Sequence, residues 1–591
     1  MRALKYPLVL VFACGLLGCK GKAKEDTADT APDTESPYTH HDTSAWVDTS
    51  IPEETADTAI RDTAIVDTGD TGIDEPLVEE VALYPGGLTV FPEASYSLRL
   101  TATIEGSVGA ADLALATFAS ADESVATVDV TGLVTAVAAG TTTLSADYEG
   151  LSASVTLTVS EPGTLTVHVE DYATGEPVTE GVWIFGTSFK TSGADADGLI
   201  TGALEDPTAI DITASATDYV PVTLHGTVSR DVTIRLRTVE SVENAGVSLS
   251  GDVDFSKLTG AGASELQVGL AASSFDSHPM LFNPEALMAD DRTISIFGIE
   301  ATLPANVYVG DYAETWQGST EAGDFGVWTM AGPVAISELT SGLNGSSDAL
   351  ALFVDNLSSF SYGWVSGLTA ADGDEVAVDL APNAAFDEAV IVTVPDLPFG
   401  FYGTEDVLVM ILEDTWTDGY ATVGMGTGQD DVVAMRVASS AFKESDGVYA
   451  LGLAQVGGLG SAGAVSYSLA PVIDGLATLP DFQEPPVFAN WDEGTHDFTL
   501  TTADDVTAQH LFVACGDGNY REGVMAGGAQ KTATLPHLSD AMSCSYGRTG
   551  WTIWSYELSR GTFEGFATEG GFRAADIEDA IERTTRVQTS L

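Results

Sequence analysis

The sequence predicts a mainly β, multidomain protein, a string of small β-sandwiches carried behind an acidic linker. Three observations carry this. At 591 residues the chain is longer than one hydrophobic core supports. Short apolar runs alternate with Thr and Ser at a period of two, the pattern of strands that bury one face. A low-complexity stretch rich in Asp-Thr separates these runs from an apolar N-terminus.

Charge narrows the partners. The chain carries 88 acidic against 22 basic residues, a formal net charge of −66. Nucleic acid is excluded as a partner, because affinity for it comes from Lys and Arg that neutralise phosphates. Adhesion to an anionic membrane face is disfavoured for the same reason. No cofactor is expected beyond weakly held Ca²⁺, which an acidic surface attracts.

The N-terminus reads as an export address. Arg2 and Lys5 precede an apolar run from Leu8 to Leu17, the length of a signal-peptide core and too short to span a bilayer. Leu16-Leu17-Gly18-Cys19 resembles the lipobox of bacterial lipoproteins, with a small residue before the cleavage point and a cysteine that receives diacylglycerol. The resemblance implies a signal peptide over 1–18, lipidation at Cys19 and a membrane partner reached through that anchor. Lys20 lacks the aspartate associated with inner-membrane retention, which favours the outer membrane and the cell surface. Removal of Cys14 with the signal and lipidation of Cys19 leave Cys515 and Cys544, which are expected to pair in an oxidising compartment. Such a bridge contributes roughly 3–4 kcal/mol through the unfolded chain.

Residues 19–78 form the tether. Asp-Thr recurs nine times between Asp26 and Thr71, with too few large apolar residues to offset the entropy of ordering, so disorder is expected. A neutral coil of that length spans roughly 40 Å, and acidic repulsion extends it further.

Residues 79–160 form the first module. Tyr96, Leu98, Leu100, Ala102 and Ile104 alternate with polar residues, as do Leu151, Ala153, Val155, Leu157 and Val159. Phe118-Ala-Ser-Ala-Asp122-Glu-Ser-Val125-Ala-Thr-Val128-Asp129, with Gly132-Leu-Val134 and Gly140-Thr-Thr-Thr-Leu144, resembles the bacterial immunoglobulin-like group 2 domain. Phe118 stands where that family often has Trp. The resemblance implies an Ig-like sandwich and a cell-surface setting, with no particular ligand.

Residues 161–238 form the second module, opened by Leu165-Thr-Val167-His-Val169 and closed by Val232-Thr-Ile234-Arg-Leu236. Asp171-Tyr-Ala-Thr174-Gly175, Asp195-Ala-Asp197-Gly198 and Asp218-Tyr219-Val220-Pro221 together resemble the carboxypeptidase regulatory-like domain, which implies a seven-stranded transthyretin-like sandwich. The Asp195 to Gly198 segment reads as a hairpin turn. It lacks the bidentate Glu that closes a Ca²⁺ loop.

Residues 239–591 divide at Gly- and Pro-rich breaks into expected β-rich units at 239–380, 381–480 and 481–591. Strands are expected at 265–270, 349–354, 389–394, 407–412, 448–456, 509–515 and 552–558. An amphipathic helix is expected at the C-terminus, with Ile577, Ala580, Ile581 and Val587 on one face.

Catalytic patterns are missing. There is no G-x-S-x-G elbow, H-E-x-x-H helix or P-loop. Gly458-Leu-Gly460-Ser-Ala-Gly463 leads into a strand instead of the helix that binds a pyrophosphate. His278, His496, His510 and His537 have no partners at zinc spacing, so no metal site is expected. The aromatic group Trp551, Trp554 and Tyr556 offers candidate ligand contacts, with Trp551 and Trp554 on opposite faces of one strand.

The expected function is that of a non-enzymatic surface lipoprotein for adhesion, envelope interaction or display, with a cell-surface protein or glycan as partner. The alternative is an exported hydrolase or carbohydrate-binding protein whose active part lies in 239–591.

Overall fold

The computed structural model describes residues 78–589, apart from internal segments that include 240–245, 279–290, 343–351, 398–406, 456–463, 515–519, 535–549 and 570–580. The signal peptide, Cys19, the tether, both paired-cysteine candidates and the Gly458 to Gly463 turn lie outside the described residues. Val78–Leu591 belongs to one compact unit, and its described part is mainly β.

The first module follows the alternation. Leu98, Leu100 and Ala102 are buried, as are Val155, Leu157 and Val159, and they meet in one core with Val90, Val134 and Leu144. The Leu151–Val159 strand pairs antiparallel with Gly140–Tyr148 and parallel with Gly87–Val90. Phe118 packs partly buried against this core.

Among its described residues the second module has seven strands. Three form one sheet, in the order Leu199–Leu204, Gly163–Asp171, Asp231–Leu236. The other four, Lys190–Ser192, Trp183–Gly186, Ile210–Ser215 and Val222–Thr227, begin a longer sheet. His168 sits on the polar face beside Asp231, Nε2 to Oδ1 3.2 Å. The 195–198 segment is a turn: Asp195 Oδ1 accepts from the amides of Asp197 and Leu199, both at 2.9 Å, so this carboxylate closes its own turn. Gly198 has φ +69°, and a Cβ there would lie 2.6 Å from the carbonyl oxygen of Val169. Gly198→Ala is therefore expected to cost about 1–3 kcal/mol, read as a lower melting temperature. An unchanged melt would contradict the strain.

The long sheet does not stop at the module boundary. Its Val222–Thr227 strand pairs parallel with Tyr520–Ala526, Val222 opposite Glu522 and His225 opposite Met525. From there it runs through Ala508–Ala514, Gly550–Leu558, Ile581–Thr589, Ala464–Pro471, Gly447–Gln455 and Val407–Asp414 to Tyr420–Gly428, twelve strands among the described residues. Parallel neighbours need long crossovers, and here the crossover is nearly 300 residues of chain between 227 and 520.

Expected strands appear at Glu265–Ser273, Glu388–Thr393, Val407–Asp414, Gly447–Gln455, Ala508–Ala514 and Gly550–Leu558. Two expectations are corrected. Residues 352–356 are helical, with Leu352 and Phe353 buried together in the core. Ile581–Thr589 is a strand between Gly550–Leu558 and Ala464–Pro471, so the C-terminal helix is not present over those residues. Its β-branched composition, Ile-Glu-Arg-Thr-Thr-Arg-Val, suits a strand between two others better than a helix face. One core runs from Leu266 to Phe482, spanning both sides of residue 380. Its two halves are also joined by polar contacts: Trp328 Nε1 donates to Ser277 Oγ at 2.6 Å, and Ser277 Oγ lies 2.8 Å from Thr422 Oγ1.

Candidate functional site

Where the second module meets the C-terminal strands, five side chains with polar or charged ends are buried together. Arg237 follows the Asp231–Leu236 strand, and Tyr172 follows Gly163–Asp171. Glu522, His510 and Tyr556 come from Tyr520–Ala526, Ala508–Ala514 and Gly550–Leu558. Pairing in register puts Glu522 on the same face as Val524, which packs into the second module's core. The strands thus carry a carboxylate to the module's one nearby guanidinium among these five groups.

Arg237 Nε lies 3.0 Å from Glu522 Oε1, and His510 Nε2 lies 3.1 Å from Glu522 Oε2. The Arg237 guanidinium stacks 4.0 Å from the Tyr172 ring centre, and the His510 ring packs against Trp554 with centres 5.7 Å apart. Each of the five groups is at most 7% exposed. A charge so buried persists only when paired. Burial acts to raise the Glu522 pKa, but Arg237 and His510 outweigh it and hold the carboxyl below its ordinary range. Burial alone would lower the Arg237 pKa, yet Tyr172, Glu522 and Glu321 carry it above its ordinary value. Tyr556 is raised, chiefly by burial. The group is sealed from solvent, so its chemistry is cohesion: it fixes the register of one segment on another.

A second tie lies beside it. Phe563 and Ala567 of the Phe563–Glu569 helix enter the second module's core. Glu564, in the helix's first turn, accepts from Thr227 Oγ1 at 2.7 Å, Val228 N at 3.0 Å and Ser229 N at 3.2 Å. Thr568 Oγ1 lies 3.1 Å from Ser229 Oγ, and the Thr568 carbonyl accepts from Thr233 Oγ1 at 3.0 Å. The same loop reaches the first module: the Arg230 amide donates to the Thr89 carbonyl at 2.8 Å, and its guanidinium lies 4.7 Å from the Phe91 ring centre. Arg99 of the first module donates to Thr507 Oγ1 at 2.9 Å. Three sequence-distant segments therefore meet at one place.

Burial raises the Glu564 pKa, and the three donors only partly offset it. Its folded pKa exceeds its unfolded one, so the stability it contributes is complete below about pH 4.5 and is lost as pH rises through the folded value. Glu564→Gln removes that loss. The melting temperature of E564Q relative to the native chain should shift in the variant's favour between pH 4 and pH 7, and a difference constant with pH would contradict the assignment.

Of the residues singled out in the sequence, Cys19, Cys515 and Cys544 lie outside the described residues. Trp554 and Tyr556 are buried in a core with Phe512 and Leu558, where ordinary packing accounts for them. Trp551 is half-buried and opposite Val513. An aromatic that does reach the surface is Trp183, 38% exposed, with Lys190 Nζ 4.6 Å from its ring centre. Arg237, Glu522 and Glu564 escaped the sequence reading. The one trace in the sequence was the adjacent charges Arg521 and Glu522 beside the apolar Val524 and Met525, a pattern that does not read as a strand. Among the described residues no group of three or more His, Cys, Asp or Glu is placed to hold a metal ion, and no helix is long and apolar enough to cross a membrane.

Fold and seam together define a mainly β protein of several sandwich layers. Its residues 78–159 match the bacterial Ig-like domain (group 2), one residue from the expected bounds at each end. No curated protein matches the chain. Solved structures similar to it include the TIE protein of Bacillus anthracis, 10% identical over 70% of this chain and 74% of that one, with a TM-score of 0.13. Domains 4–9 of the surface layer protein SbsC are 12% identical over 82% of this chain and 80% of that one, at 0.16. A putative adhesin from Bacteroides ovatus is 10% identical over 42% and 96%, at 0.12. TM-scores this low establish no common arrangement of the chains.

Proposed function

We propose that this chain is an exported lipoprotein, held to the outer membrane by a lipid on Cys19, whose folded part is a stiff, non-enzymatic scaffold for adhesion or display. The observation that carries the reading is the twelve-stranded sheet that continues from the second module into the C-terminal strands. A sheet shared between segments, with a buried ion pair across the join, resists bending and shear in a way that beads on linkers do not. The Ig-like domain at 78–159 supports a cell-surface setting. The seven strands of 161–238 are consistent with the transthyretin-like resemblance of that segment. Within this reading the acidic tether is a spacer between lipid and scaffold, and Cys515 bridges Cys544.

The anchor is tested by palmitate labelling and detergent fractionation. The native chain should take up label and partition with the membrane fraction. Cys19→Ser should lose both, and a Cys19→Ser chain that keeps its label would refute the anchor. Free-thiol titration of the denatured, unreduced protein should find Cys515 and Cys544 unreactive; two reactive thiols would refute the bridge.

A further inference from the structure

Away from the seam, a cleft of about 490 Å³ opens between the Val247–Asp252 and Thr315–Thr320 strands and the end of Glu265–Ser273. That volume falls within the roughly 300–1,000 Å³ of small-ligand pockets. Its polar lining is set by strand register: Ser248 lies opposite Ser319 and Glu375, and Ser250 lies opposite Gln317. Asp276 and Asn306 complete it from the facing loops. We infer that this cleft binds a neutral saccharide, recognised through hydroxyl, amide and carboxylate groups that converge from three strands and two loops.

The chemistry of the lining decides the class. No Lys, Arg or His is among the lining residues, while Asp276 and Glu375 are, so phosphates, sulfates and acidic sugars are repelled. Serine hydroxyls and the Asn306 and Gln317 amides both donate and accept, which suits a ligand that does the same at every carbon. Asp276 accepts from Ser273 N at 3.0 Å and from Ser273 Oγ at 2.8 Å, both on Oδ2, so the carboxylate is held in place to accept from a ligand hydroxyl. Leu249, Ala271 and Trp316 back the cleft from the core side, each at most 2% exposed. This inference is independent of the anchor and of the seam, and it gives the scaffold something to hold.

The full chain carrying Cys19→Ser is applied to an array of neutral, sialylated and sulfated oligosaccharides, and hits are titrated by calorimetry alongside spermine. A neutral oligosaccharide should bind, and Ser250→Trp, which fills the cleft from an exposed position, should abolish that binding with circular dichroism unchanged. Should S250W not fold, Gln317→Ala serves in its place, with affinity expected to fall roughly fivefold for one lost hydrogen bond. Absence of any neutral ligand, a hit unaffected by these changes, or capture of spermine or of acidic glycans instead would overturn the inference.

Discussion

Glu522→Ala should lower the unfolding free energy by about 3–5 kcal/mol, the usual cost of removing one partner from a buried pair. The loss comes less from the missing bond than from what is left behind. Arg237, 5% exposed, would keep its charge without the carboxylate 3.0 Å away, and His510 would lose its acceptor. Changing both partners together, as in Arg237→Met with Glu522→Leu, should cost much less than either single removal, since no unpaired charge remains. Chemical denaturation of the three variants reads this directly. Equal losses in the single and double variants would mean that the pair is mere packing. The pH dependence follows from the depressed Glu522 pKa. Its contribution is complete above about pH 4.5 and is lost as pH falls through the lower folded value. The native chain should therefore lose stability in acid more steeply than the double variant.

Phe563→Ala should be comparably damaging, about 3–5 kcal/mol for a large aromatic removed from a filled core. Phe563 is 4% exposed and belongs to the core of the 161–238 module, although it lies more than 300 residues along the chain from it. Its removal leaves a void on that module's side and loosens the helix whose Glu564 holds the amides of Val228 and Ser229. The module should melt at a lower temperature with the rest of the protein. If F563A lowered only a C-terminal transition and left a separate module transition in place, the two segments would be thermally independent and the seam would not couple them.

These two residues show where the sequence was legible and where it was not. Period-two alternation placed the strands of the first two modules, and local turn chemistry placed a turn at Asp195 to Gly198, because both are short-range effects; the expected hairpin is not formed, since Lys190–Ser192 and Leu199–Leu204 on either side lie in different sheets. The Phe118 to Gly140 pattern pointed to the Ig-like domain on the same footing. The seam is different. Glu522 finds Arg237 through pairing between strands far apart in sequence, and Phe563 joins the core of the 161–238 module from a helix more than 300 residues away, and no local pattern encodes such a partner. Tyr520–Ala526 read as no strand at all, because Arg521 and Glu522 break its apolar run. The terminal segment misled for a related reason. Ile577, Ala580 and Ile581 have helical spacing, but Ile581–Thr589 lies between two strands whose free edges outbid that local preference. The polar cleft left no trace either, since isolated serines on exposed strand faces look like ordinary surface until register brings them into a row.

Hydrogen exchange at the join tests the central claim most directly, because a shared sheet protects amides that an isolated module would expose at its edge. The Glu522 amide donates to the Pro221 carbonyl at 3.0 Å, and Val222 to His225 run beside Glu522 to Met525. Peptides covering 221–226 and 520–526 should exchange about as slowly as the core strand Val407–Asp414. Rapid exchange in 221–226, as from an unpaired edge strand, would show that the modules are separate beads and contradict the account.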